Sequence, residues 1–100
     1  MASKYNTSKD RKPSGKQIIK IGRLLAETGA VKVKWPENSR EASKIQAQLH
    51  GWEDKGFGSE TNSPTIKQLY SITSGLLKKN RKKWPASSSS ASTLIQRLSS

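Results

Sequence analysis

Hydrophobic positions along the chain change period, and polar residues mark each change. Ile18, Ile21, Leu25 and Thr28 recur at helical spacing, with Ile19 and Leu24 widening the stripe. Ser14 stands where an N-cap belongs and Gly29 where a helix ends, which predicts a first helix over about 15–28. Val31, Val33 and Trp35 then alternate with Ala30, Lys32 and Lys34. That period of two predicts a short extended segment around 31–35, stopped by Pro36.

Asn38 as cap with Glu41 three residues on has the form of a capping box and opens a second helix over about 39–52. Its inner face is Ala42, Ile45, Leu49 and Trp52, and its outer face Arg40, Lys44 and Gln48. Glycines and small polar residues make 56–62 a loop. Ser63 followed by Pro64 reads as a cap with proline at the first helical position, and a third helix follows over about 64–80. Ile66, Leu69, Tyr70, Thr73, Leu76 and Leu77 face inward there, with Gly75 a weak point of about 1 kcal/mol relative to alanine.

The chain also echoes itself. Lys34-Trp35-Pro36 with Ser39, Ala42, Ser43 and Leu49 returns forty-nine positions later as Lys83-Trp84-Pro85 with Ser88, Ala91, Ser92 and Leu98, seven identities in sixteen positions. At an offset of forty-eight, Ile18, Ile21 and Leu24 face Ile66, Leu69 and Ile72. The unit is a helix, a basic connector ending in Lys-Trp-Pro, and a capped helix, written twice. A true repeat places a short fourth helix, capped by Ser92 or a neighbouring serine, through Thr93, Leu94, Ile95 and Leu98; a chance repeat leaves a serine-rich tail.

The pattern predicts a mainly α fold, a small bundle of three to four short helices with the extended segment at 31–35 and a disordered basic N-terminal arm. The arm covers 1–13, the helical domain 14–85, and the tail or docked helix 86–100.

Composition narrows the chemistry. One hundred residues at 31% apolar content support one thin core. No apolar run approaches the ~20 residues of a membrane span and no signal peptide is apparent, so a soluble intracellular protein without membrane contact is expected. With no cysteine and a single histidine, His50, neither thiolate chemistry nor a histidine metal cluster is available, and no cofactor is implied. Glu53 and Asp54 are adjacent and point ~100° apart on a helix, so they make no facing carboxylate pair. The stretch 56–59 lacks the Gly-Lys-Ser/Thr ending of a phosphate loop, and Glu37, Glu41 and Glu60 lack calcium-ligand spacing. Catalysis is not expected.

Charge is what remains. The formal net charge of +12 divides into +7 over residues 1–34, −2 over 35–60 and +7 over 61–100, where no acid occurs. Two basic flanks favour a polyanion, and the expectation is a small nucleic-acid-binding protein, DNA ahead of RNA, with a regulatory or accessory role. The second helix, loop and third helix have the order of a helix-turn-helix, though about twice the usual connection length. Thr65, Lys67, Gln68 and Ser71 at the start of the third helix are the candidate base readers, Gln68 through its bidentate amide. Lys78, Lys79, Arg81, Lys82 and Lys83 suit phosphates, as do Lys9, Arg11 and Lys12 of the arm. Trp35 and Trp84, each between lysine and proline, either plug the core or offer a flat face to a base.

From another class, the same charge fits a protein-interaction module or inhibitor from a virus or mobile element, docking on an acidic or nucleic-acid-bound partner; an RNA-binding protein is the near neighbour. A homodimer suits either reading. The corresponding location is cytoplasmic or nucleoid-associated, and nuclear in a eukaryotic host.

Overall fold

A computed structural model describes residues 11–100, and among them lie four helices and no strand: α1 (Gly15–Thr28), α2 (Ser39–His50), α3 (Ile66–Lys79) and α4 (Ser88–Ser99). Residues 1–10 of the predicted arm, Lys9 among them, fall outside the described residues.

Each helix starts where a polar side chain takes an otherwise unpaired backbone N–H. Ser14 Oγ accepts from Gln17 N at 3.2 Å while Gln17 Oε1 accepts from Ser14 N at 2.9 Å, a reciprocal capping box. Thr65 and Gln68 repeat it at 3.1 and 2.9 Å. Asn38 Oδ1 accepts from Glu41 N at 2.8 Å, and Ser87 Oγ from Ser90 N at 3.2 Å.

Several local expectations need correction. Thr65, not Ser63, caps α3, so Pro64 lies one residue outside the cap and Ile66, at the first helical position, is 56% exposed rather than inward. Glu41 does not close a capping box; its carboxylate accepts from Glu37 N at 2.9 Å. Helix α2 stops at His50 because Gly51 takes the left-handed conformation at φ 69°, and Trp52, already outside the helix, is 57% exposed instead of in the core. The segment 31–35 keeps its alternation, with Val31, Val33 and Trp35 half-buried and Lys32 and Lys34 exposed. It pairs with no strand, and Val33 N donates to Ala26 O at 3.2 Å.

The core gathers Ile21, Leu25, Ala42, Leu49, Ile72, Leu76 and Ala91 with their neighbours. Helix α1 packs against α3 and α4, and α2 packs against α3. The second helix of each repeat therefore lies on the first helix of the other repeat. Fully buried Ala42 and Ala91 are counterparts in this exchange.

The register of the repeat differs from the one read at forty-eight. An offset of fifty-one aligns Pro13, Lys16, Gln17, Ile21 and Leu25 with Pro64, Lys67, Gln68, Ile72 and Leu76, and superposes the two capping boxes. Tertiary bonds repeat in the same register. Gln17 Nε2 donates to Ser88 O at 3.1 Å and Gln68 Nε2 to Ser39 O at 3.0 Å. Ser88 N donates to Arg11 O at 2.6 Å and Ser39 N to Asn62 O at 2.8 Å. The second helices keep the offset of forty-nine, because the connector of the first repeat, 29–38, is two residues longer than that of the second, 80–87.

Two glycines set the crossings. A Cβ on Gly22 of α1 would collide with Thr73 Oγ1 of α3 and stand 2.9 Å from Trp35 Cη2. On Gly75 of α3 it would meet Leu49 Cβ of α2 at 2.9 Å. Gly75 is thus a close-approach site, and its helix-propensity cost is the condition for that contact.

Gly22→Ala is expected to destabilise the fold by ~1–3 kcal/mol through overpacking, although alanine is the better helix former. A melting curve checks this at roughly 4–8 °C per kcal/mol. Combining it with Thr73→Ala should recover part of the loss; strict additivity of the two changes would remove the crossing as its cause.

Candidate nucleic-acid interface

The densest positive charge follows the end of α3, where geometry as well as composition places it. Lys82 N donates to Leu77 O at 2.8 Å and Arg81 N to Lys78 O at 3.1 Å, the paired bonds of a Schellman ending. That ending needs one left-handed residue, and here it is Arg81 at φ 57°, the sole non-glycine with positive φ among the described residues. Helix α2 uses Gly51 for the same bend. Lys78, Lys79, Arg81, Lys82 and Lys83 are all exposed, and the negative end of the α3 dipole lies among them. Asn80 anchors the turn from inside: Nδ2 donates to Leu76 O at 2.7 Å, and Oδ1 accepts from Ala30 N at 2.8 Å.

Counter-charge is scarce. Among the described residues one ion pair forms, Arg40 with Asp54 at 2.8 Å, far along the chain from this cluster. The Arg40 hydrogen bonds, then the Gly56 N–H, hold the Asp54 carboxyl below its usual range, and Asp54 in turn raises Arg40.

The base readers expected at the start of α3 are differently employed. Both ends of the Gln68 amide are bound, Oε1 to the Thr65 N–H and Nε2 to the Ser39 carbonyl, so its bidentate face is not presented to a base. Thr65 Oγ1 is occupied as the cap, and half-buried Ser71 places Oγ 3.1 Å from His50 Nε2. That nitrogen is also 3.0 Å from Ser71 O, to which only an N–H can donate, and the imidazole stacks on Trp52 at 4.5 Å. Of the four, Lys67 alone points a free charged group outward. Helices α2 and α3 are joined by residues 51–65, a connection outside helix-turn-helix geometry.

The tryptophans part company. Trp35 is half-buried across Gly22 and belongs to the core periphery, whereas Trp84 is 42% exposed and leans on Tyr70. Arg11 and Lys12 are exposed, with the Arg11 carbonyl tied to α4. Sequence reasoning missed the two glutamines as cross-repeat ties; the shared string Pro-Ser/Thr-x-Lys-Gln at 13–17 and 64–68 was the available signal.

Gln68→Ala and Gln17→Ala should each lower stability by ~1–2 kcal/mol or more, since each removes half a capping box together with tertiary bonds, one for Gln68 and three for Gln17, to Ser88 O, Ser88 Oγ and Ser92 Oγ. Discrimination between duplex sequences should not change with Gln68→Ala. A competition binding assay showing lost discrimination in a fully folded variant would return Gln68 to the role of base reader.

Comparison of the chain with protein-family models, with curated proteins and with solved structures finds no match.

Proposed function

We propose that this protein binds nucleic acid without catalysing a reaction, and that DNA is its polymer in a regulatory or accessory role. The observation that carries the reading is Arg81. A non-glycine residue in the left-handed region costs about 1 kcal/mol or more, and glycine serves the same bend at the end of α2. A cation retained at that cost, between Lys79 and Lys82, suits a surface selected for charge rather than stability. Phosphates are the matching partner, because five cations close together at a helix end offer attraction without the fixed geometry that base reading needs. Lys67, Arg11 and Lys12 are further exposed cations. A nucleoid-associated location, or a nuclear one in a eukaryotic host, follows from this reading.

A second reading has its own support. Trp52, Phe57 and Ile66 are 57, 66 and 56% exposed, and the loop that carries the first two holds Glu53, Asp54 and Lys55. Large apolar side chains set among mixed charges suit a protein partner, so an interaction module that docks on a nucleic-acid-bound protein remains the alternative.

Arg81→Gly separates the two. It should raise the melting temperature, by the equivalent of ~0.5–1 kcal/mol, while weakening binding to random duplex. Lys82→Ala with Lys83→Ala should weaken all duplexes alike and flatten the plot of log K against log salt by ~0.9 per lost phosphate contact. Unchanged affinity in both variants would give first place to the interaction module.

A further inference from the structure

The two repeats seat their tryptophans differently. Trp35 crosses Gly22, whose missing side chain leaves the indole room. The residue fifty-one positions on is Thr73, fully buried and carrying the side chain that Gly22 lacks. Trp84, counterpart of Trp35, stays outside, with its ring 5.8 Å from that of Tyr70 and tilted by 58°. Pro36 and Pro85 are both buried, so the backbone after each tryptophan is held alike while the two indoles are not.

Trp84 and Tyr70 wall a cleft of about 440 Å³, within the ~300–1,000 Å³ of small-ligand sites, floored by Ile18 and Pro13 with Lys12 at its edge. The backbone leading to Lys12 is anchored to α4, where the Arg11 carbonyl accepts from Ser88 N at 2.6 Å. No acid lines the cleft, and Lys82 and Lys83 lead directly into Trp84.

We infer that this cleft seats one unstacked base of a single-stranded nucleic acid on the exposed face of Trp84, with flanking phosphates on Lys12 and the Lys82–Lys83 run. The inference rests on the nucleic-acid reading above and deepens it. An aromatic wall beside cations matches a chain that alternates flat rings with phosphates, and every base has a face to stack. A duplex keeps its base faces covered, and an apolar peptide has no charge for the lysines to meet. Tyr70 braces the indole from the side.

Fluorescence anisotropy with (dT)12 and with a random duplex, at matched salt, tests the assignment. Trp84→Ala should weaken (dT)12 roughly 5- to 100-fold, the loss of one base stack, and leave the duplex within about twofold. Trp84→Phe should recover most of the affinity, and the salt slope for (dT)12 should stay unchanged because no cation is lost. Trp52→Ala should move neither polymer. Equal losses on both polymers, or none, would overturn the cleft. A second measurement needs no substitution: (dT)12 carrying one 5-iodouracil, photolysed on the full chain, should form adducts at Trp84 or Tyr70, and adducts confined elsewhere would overturn it. Repeating the binding with (dU)12 and (U)12 separates the two sugars; a Trp84-dependent loss on either supports the site. Salt-sensitive duplex binding with no Trp84 effect removes the cleft alone, whereas no binding to any polymer at low salt removes the nucleic-acid reading as well.

Discussion

The close crossing of α1 and α3 at Gly22 and Thr73 is the contact on which the rest of the molecule depends. Only hydrogen at Gly22 lets Thr73 approach, and Thr73 Oγ1 satisfies itself on Leu69 O at 2.9 Å within its own helix. With the two first helices face to face, each leaves one flank open, and the second helix of the opposite repeat covers it. Neither repeat buries its own apolar stripe. A chain with so few apolar residues meets the thin-core problem by sharing one core between two incomplete halves.

Polar residues enforce that exchange. Gln17 and Gln68 each close a capping box on their own helix and hold the first carbonyl of the other repeat's second helix. One side chain thus sets both where a helix starts and what lies across it. Among the described residues every buried side-chain polar atom is partnered, Ser39 through Ser59 and Thr73 through Leu69, which lets a mostly hydrophilic chain keep a defined register. Charge contributes little to this scaffold, as the one ion pair among the described residues lies near the surface and has small net worth.

Three helices were legible outright, because caps and apolar spacing are local signals; the fourth stood only as the alternative to a serine-rich tail, and Ser87 caps it, with Ser92 inside the helix, because several neighbouring serines are equally competent caps. The misreadings came where local choice was ambiguous. Ser63 and Thr65 are both competent caps beside Pro64, and tertiary bonding of Gln68 decides for Thr65. Trp52 falls on the apolar stripe of α2 by counting, but Gly51 breaks the helix first. The repeat was visible in its second helices, where Lys-Trp-Pro is conspicuous, and misaligned in its first, since apolar residues match at several offsets. Gln68 was legible as a polar residue on an outer face; that its amide is consumed by a backbone carbonyl twenty-nine residues away is a fact of packing, which periodicity does not carry.

Near-symmetry makes the differences between the halves informative. The first connector carries Lys32 and Lys34 and sends its tryptophan inward; the second carries Arg81, Lys82 and Lys83 and sends its tryptophan out. Both differences fall in the second repeat, and both run against stability: an arginine where glycine would be relaxed, and an indole 42% exposed where its twin is half-buried against the core. A duplicated scaffold can bear such costs in one half because the other supplies its share of the common core. The first repeat therefore packs its tryptophan against the shared core, and the second leaves its charge cluster and its aromatic ring at the surface.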